Sequence, residues 1–171
     1  MNKQESPERG LIMRTPAGPL AIQGGPRGIT RVRWASDGID EDFREPTSPA
    51  LERARAALLA YFADPRQPRL EVPLAPYRAT SFQWRVWWAM RRIPPGSTVT
   101  YGELARWLGS SPRAVGNAAG ANPWPLIVPC HRVVSRNGLG GYMRGSAGGE
   151  GLRIKRWLLA WEGWEGTGEY G

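Results

Sequence analysis

Thr100-Tyr101-Gly102-Glu103-Leu104-Ala105-Arg106-Trp107-Leu108-Gly109-Ser110-Ser111-Pro112-Arg113 is the stretch from which the fold is read. Thr100 followed three residues later by Glu103 is a capping box, in which each side chain bonds the other residue's backbone N–H. Leu104, Ala105 and Leu108 then recur at helical spacing, and Gly109 is a natural stop. Ser111-Pro112 opens a second helix, with Ser as N-cap and Pro in the first turn. That helix runs through Ala121 and ends before Asn122-Pro123. Two helices joined by a short Gly-containing turn form a helix-turn-helix, which is either a DNA-binding element or an ordinary helical hairpin. The second helix is made mostly of Ala and Gly with one Arg at its start. Small residues suit close approach to a minor groove, and they suit tight helix packing equally well.

Upstream, Thr80-Ser81-Phe82-Gln83 is another capping box. Phe82, Val86, Ala89, Met90 and Ile93 follow at helical spacing up to Pro94-Pro95-Gly96. Arg66 to Tyr77 is proline-rich and reads as a linker, in which Leu70, Val72 and Leu74 alternate as in an edge strand. Ser48-Pro49 opens a helix with Leu51, Ala54, Leu58 and Phe62 on one stripe. Between Leu11 and Trp34, short apolar pieces alternate with turn residues and predict a three-stranded antiparallel meander. Met1 to Gly10 reads as a loose tail, and the acidic stretch Asp37 to Pro46 reads as a loop. The expected class is α+β, with an N-terminal α+β domain at 1–78 (tail 1–10, linker 64–78) and a mainly helical domain at 79–171.

Downstream, Asn122-Pro123-Trp124-Pro125 leads into Leu126-Ile127-Val128, read as a strand, and then into Pro129-Cys130-His131-Arg132-Val133-Val134. Cys130 is the only cysteine and His131 the only histidine. A thiolate is a strong nucleophile, and a neighbouring imidazole favours its formation. A buried, inert cysteine is the other reading. On a strand the two side chains would point apart, so cooperation needs a turn there, for which Pro129 is suited. Asn137-Gly138 and Gly140-Gly141 are turn signals. Met143 to Gly151 is rich in Gly and reads as mobile. A last helix from Leu152 to Trp161 is expected to turn Leu152, Lys155, Leu158 and Leu159 to one face. Glu162 then stands at its C-terminus, where a carboxylate is electrostatically unfavourable unless something bonds it.

The composition fits these readings. Lys and Arg number 23 against 15 Asp and Glu, a net charge of +8 that favours a polyanionic partner. One cysteine excludes an intramolecular disulfide, a Cys-rich zinc site and an internal dithiol redox cycle. The first ten residues lack the apolar core of a signal peptide, and no apolar run reaches membrane-spanning length. A reducing, cytoplasmic location is therefore expected, nucleoid-associated if the source is bacterial.

Pro-Cys-His-Arg-Val at 129–133 resembles the active-site signature of the O6-alkylguanine-DNA alkyltransferases. The resemblance spans Thr80 to Gly163. It takes in Thr80-Ser81-Phe82-Gln83, Ile93-Pro94-Pro95-Gly96, Tyr101, Arg113-Ala114-Val115-Gly116, Asn122-Pro123, Gly141-Tyr142 and Lys155 to Leu159. Before Thr80 it is weaker and rests on Thr15-Pro16 with Gly18-Pro19-Leu20.

The resemblance implies single-turnover transfer of an alkyl group from O6 of a flipped guanine, and to some extent from O4 of thymine, onto Cys130. It implies no metal and no cofactor. His131 is then the base through a bridging water, Glu162 its orienting partner, Tyr101 the donor to departing guanine, and Asn122 the hinge. Arg113 is the finger that fills the space left in the duplex, and Thr100, Tyr101, Ala114, Gly116 and Ala118 complete the DNA surface. Pro125, Val133, Tyr142 and Met143 form the substrate pocket, with the carbonyls of Cys130 and Val133 receiving bonds from the base. Met143 stands where many relatives carry a serine. The expected partner is double-stranded DNA containing O6-alkylguanine, bound by a monomer with scope for cooperativity, and no membrane. The competing reading is an alkyltransferase-like sensor that binds the lesion without transfer.

Overall fold

The structure, a computed structural model, describes residues 9–35, 48–66, 70–142 and 149–166. The expected loop at Asp37 to Pro46, most of the N-terminal tail and Met143 lie outside the described residues. Two compact units are present, one running to Asp64 and taking in Leu70–Arg78, the other running from Ala79.

In the first unit, β1 (Arg9–Thr15), β2 (Gly18–Gly25) and β3 (Gly28–Trp34) form an antiparallel sheet in the order β1-β2-β3. Strand pairing begins earlier than expected, because Arg9 and Gly10 pair with Gly24 and Gln23 and are not part of a tail. A bulge at Gln23/Gly24 precedes the second turn. Helix α1 (Pro49–Ala63) starts at Ser48, whose side chain accepts a bond from the Leu51 N–H. It packs on all three strands and buries Leu51, Ala54, Leu58 and Tyr61. Each large side chain so buried contributes about 1.5–3 kcal/mol.

The expected linker does more than connect. Ile29 donates to Pro73 O at 2.8 Å and accepts from Ala75 N at 3.0 Å, so Leu74 joins the free edge of β3 in parallel. Gly28 makes this possible: a Cβ there would lie 2.7 Å from the backbone of Pro73 and Ala75.

The second unit holds α2 (Ser81–Met90), β4 (Val99–Thr100), α3 (Tyr101–Leu108), α4 (Pro112–Gly120), a single 3₁₀ turn (Cys130–Arg132), β5 (Val133–Val134) and α5 (Glu150–Trp161). Both capping boxes form. Gly109 takes the left-handed conformation and ends α3, and Ser111 caps α4 two residues later. Trp87 of α2 donates through its indole N–H to Ala118 O at 2.8 Å and ties α2 to α4. Trp84, Trp87 and Trp124 pack around this tie with ring centroids 5.3–5.8 Å apart.

Sites far apart in the chain meet through a very small sheet. β4 and β5 pair in parallel, Val99 with Val133 and Thr100 with Val134. β4 runs directly into Tyr101 and β5 directly out of the Cys130–Arg132 turn. This pairing brings the start of α3 beside the cysteine.

Two expectations are corrected. Leu126-Ile127-Val128 is a buried turn, not a strand: Val128 donates to Trp124 O at 2.8 Å, and Leu126 adopts φ 76°. A short apolar run between prolines buries equally well in either form, and here the prolines favour the turn. In α5, Leu152 is 40% exposed, and Gly151 and Ile154 join Lys155, Leu158 and Leu159 on the buried face. The helix begins at Glu150, so Gly149 to Gly151, expected to be mobile, cap and open it.

Candidate active site

Pro129 (φ −79°, ψ 68°) turns the chain into the 3₁₀ segment. Three residues per turn fan successive side chains around the axis, unlike the alternation of a strand. His131 and Arg132 can therefore both reach the end of α5, while Cys130 stays partly exposed.

At that helix end Glu162 is buried and fully bonded. His131 Nε2 lies 2.8 Å from Glu162 Oε1. Arg132 donates through Nε and Nη2 at 2.8–3.2 Å to the same carboxylate, and through Nη1 to Ile93 O at 2.7 Å. Burial alone would raise the Glu162 carboxyl, but His131 and Arg132 outweigh it and hold it at about 2. The carboxylate is thus ionised and can only accept. Burial lowers the His131 pKa, against the pull of Glu162, so the imidazole is neutral. Its one proton sits on Nε2, facing Glu162, and Nδ1 keeps a free lone pair. Nδ1 is buried and has no hydrogen-bond partner among the described residues. A neutral, oriented imidazole with an unused basic nitrogen is a general base.

The Cys130 thiol is pushed up by burial, and this is opposed by a hydrogen bond from Asn122, the Lys155 ammonium and the backbone N–H groups of Cys130 and His131. Cys130 therefore rests as a thiol with charge stabilisation already in place for the thiolate. Asn122 also donates to Val128 O at 2.9 Å and accepts from Trp124 N at 3.0 Å, so it joins the end of α4 to the segment carrying the cysteine.

Tyr101 donates its hydroxyl to Gly141 O at 3.3 Å. Burial, and secondarily the charge of Cys130, push it up to about 12, so it keeps its proton. Lys155 is fully buried and donates to Val133 O at 2.6 Å and Gly141 O at 3.0 Å. Burial brings it down to about 8, against the charge of Cys130.

The remaining predicted site residues are placed as follows. Arg113 is exposed, and Ala114 and Gly116 are half-buried on α4. Thr100 gives its hydroxyl to Glu103 at 2.7 Å in the α3 cap. Ala118 faces the interior at 3% exposure, its carbonyl taken by Trp87, which removes it from the DNA-facing set. Pro125, Val133 and Tyr142 are buried. The carbonyls of Cys130 and Val133 already accept one bond each, from Val133 N–H and Lys155, leaving each one lone pair.

Arg132 and Lys155 were not read as site residues. The burial of Arg132 was signalled only weakly, by its place inside an apolar run, while Lys155 already shared its expected helix face with Leu158 and Leu159.

Gly96, with φ 77°, closes the turn after α2 against Glu162. Its N–H approaches Glu162 Oε2 at 3.4 Å, and a Cβ would sit 2.9 Å from the Glu162 carbonyl. Gly96→Ala is expected to cost about 2 kcal/mol, from a left-handed alanine and a backbone clash. A thermal melt should show a midpoint lower by roughly 4–8 °C.

A lone thiol next in the chain to a neutral imidazole, itself bonded to a buried carboxylate, is an arrangement suited to chemistry at one cysteine. The comparisons with known proteins make this specific. The model of the 6-O-methylguanine DNA methyltransferase DNA binding domain matches residues 81–164. The DNA base-flipping protein of Thermus thermophilus is 41% identical over 159 residues, covering 90% of this chain and 99% of that protein. A methylated-DNA–protein-cysteine methyltransferase of Methanosarcina acetivorans is 39% identical, covering 89% and 96%. A crystal structure of Mycobacterium tuberculosis OGT in complex with DNA superposes with a TM-score of 0.74 at 37% identity, covering 90% and 92%. The chain belongs to the 6-O-methylguanine DNA methyltransferase family.

Proposed function

We propose that the protein repairs DNA by moving an alkyl group from O6 of guanine, and to some extent from O4 of thymine, onto Cys130. It is a methylated-DNA–protein-cysteine methyltransferase that acts as a monomer on duplex DNA, in the reducing compartment that holds the chromosome. The observation that carries this is the His131 imidazole, oriented by Glu162 and kept neutral by burial, with Nδ1 unused, next in the chain to the lone thiol.

The alkyl carbon on a stacked guanine is out of reach, so the nucleotide is flipped out of the duplex. Arg113, exposed in the first turn of α4, fills the space it leaves, and Ala114 and Gly116 let the backbone come close. His131 Nδ1 takes the thiol proton through a bridging water. The sulfur attacks the alkyl carbon, the S–C bond forms and the C–O bond breaks, and the electron pair leaves with guanine. Tyr101 supplies a proton to the departing base, which leaves better neutral than as an anion. Overall the thiol proton ends on guanine. Lys155 and Asn122 stabilise the transient thiolate. The thioether formed has no easy route back, so each chain acts once.

Lesion binding without transfer is the second reading, favoured by the name of the Thermus thermophilus relative. Intact-mass measurement after incubation with an O6-methylguanine duplex separates the two. A gain of one methyl group on the peptide carrying Cys130 is expected. Binding with unchanged mass would establish the sensor instead.

A further inference from the structure

A second concave surface shares Tyr101 with the reaction centre. It is a cleft of about 680 Å³ between the first half of α3, the start of α4 and the segment after β5, and Cys130 is not in its wall. Arg106 enters it from α3 and Arg136 from the tight turn bridged by Ser135 and Gly138. Both arginines are exposed. Arg136 forms no ion pair among the described residues. The floor near Tyr101 is bare of side chains at Gly116 and Gly141. Glu103, a carboxylate in the wall, is occupied by the α3 cap, accepting from the Thr100 N–H and hydroxyl at 2.7–2.8 Å.

We infer that Arg106 and Arg136 form a two-point clamp on the DNA backbone phosphates flanking the flipped nucleotide. This rests on the reading of the protein as acting on duplex DNA. The occupant follows from charge and shape. Two guanidinium forks on separate elements face one concave space, and each fork matches the oxygens of a phosphate. The space is open and poor in apolar side chains, which disfavours a hydrophobic ligand. Tyr101 belongs to both this wall and the reaction centre, so a nucleotide at the cysteine has its neighbouring phosphates beside the cleft. Contacts of this kind hold register and carry no sequence information. Arg106 and Arg136 are therefore positioning residues and take no part in the chemistry.

The test measures affinity for an O6-methylguanine duplex across a salt series, for the full chain and for Arg106→Ala, Arg136→Ala and the double variant. Each phosphate contact contributes about 0.9 to the slope of log affinity against log salt. Each single variant should flatten the slope by about one and the double by about two, while Arg136→Lys keeps it. Transfer from free O6-benzylguanine base, which has no phosphates, should be unchanged in all of them. Arg153→Ala, an exposed arginine on α5, should leave the slope as it was. Unaltered slopes in Arg106→Ala and Arg136→Ala would overturn the clamp, and so would an equal flattening in Arg153→Ala, which would mean bulk charge alone. The wild-type mass gain is read separately: its absence removes the repair reading, while the slopes still judge the clamp.

Discussion

Cys130→Ser is expected to bind an O6-methylguanine duplex with near wild-type affinity and to gain no methyl mass. Serine is close to cysteine in size, so the Pro129 turn and the bonds of Asn122 should survive. Its hydroxyl is far harder to ionise than a thiol and a poorer nucleophile toward saturated carbon. His131 is held neutral by burial and is a mild base, matched to a thiol. The DNA surface proposed above, on α4 and around Tyr101, is not touched by the substitution. The loss should exceed about a thousandfold in single-turnover rate, on the scale seen when an activated nucleophile is removed. Mass spectrometry and gel shift on the same sample check both halves. Methyl transfer to the serine variant would take Cys130 out of its role.

Arg132→Ala should have the largest effect on stability. The guanidinium is one of two side chains that bond the buried Glu162 carboxylate, beside the Gly96 N–H. Removing one partner of a buried pair costs about 3–5 kcal/mol, since the charge left behind stays desolvated. The effect has a pH signature. Glu162 sits at about 2 in the fold against an ordinary 4.5. Its ionisation therefore contributes stability that is complete above pH 4.5 and is lost as pH falls through 2, roughly 3 kcal/mol in all. Without Arg132 the carboxyl returns toward its ordinary value and this acid-labile part shrinks. Urea denaturation at pH 7 and pH 3 should show a weaker variant at pH 7 and a smaller gap between the two proteins at pH 3. A constant gap at both pH values would mean that Arg132 stabilises by packing alone.

What could be read from the chain divides along physical lines. Helix starts were legible at Ser48, Thr80, Thr100 and Ser111 because a cap is a bond between residues three apart. The α+β class was legible because turn chemistry and apolar spacing are local too. Glu162 and His131 were brought together by resemblance, and the unfavourable placement of an acid at a helix end was the one local hint. The strand at Leu126-Ile127-Val128 failed because an apolar triplet says that it is buried, not how its backbone runs. Leu152 failed because a helix stripe one residue out of phase looks nearly the same on paper. Lys155, though placed on one face with Leu158 and Leu159, was given no role, and Arg132 was passed over, because charged residues belong at the surface unless their partners are known. Those partners, Val133 and Gly141 for one and Glu162 and Ile93 for the other, lie 14 to 39 residues away.

Leu126 illustrates how a position can be intolerant of change without touching the reaction. Its backbone asks for glycine or asparagine, since φ 76° costs a branched residue on the order of 1–2 kcal/mol. Its side chain, 3% exposed, asks for leucine, whose burial contributes a similar amount. Glycine would relax the main chain and open a hole, while valine would fill part of the hole and worsen the main chain. Every single replacement trades one debt for another, so the segment four residues before the nucleophile sits at a local optimum reachable only by coordinated change.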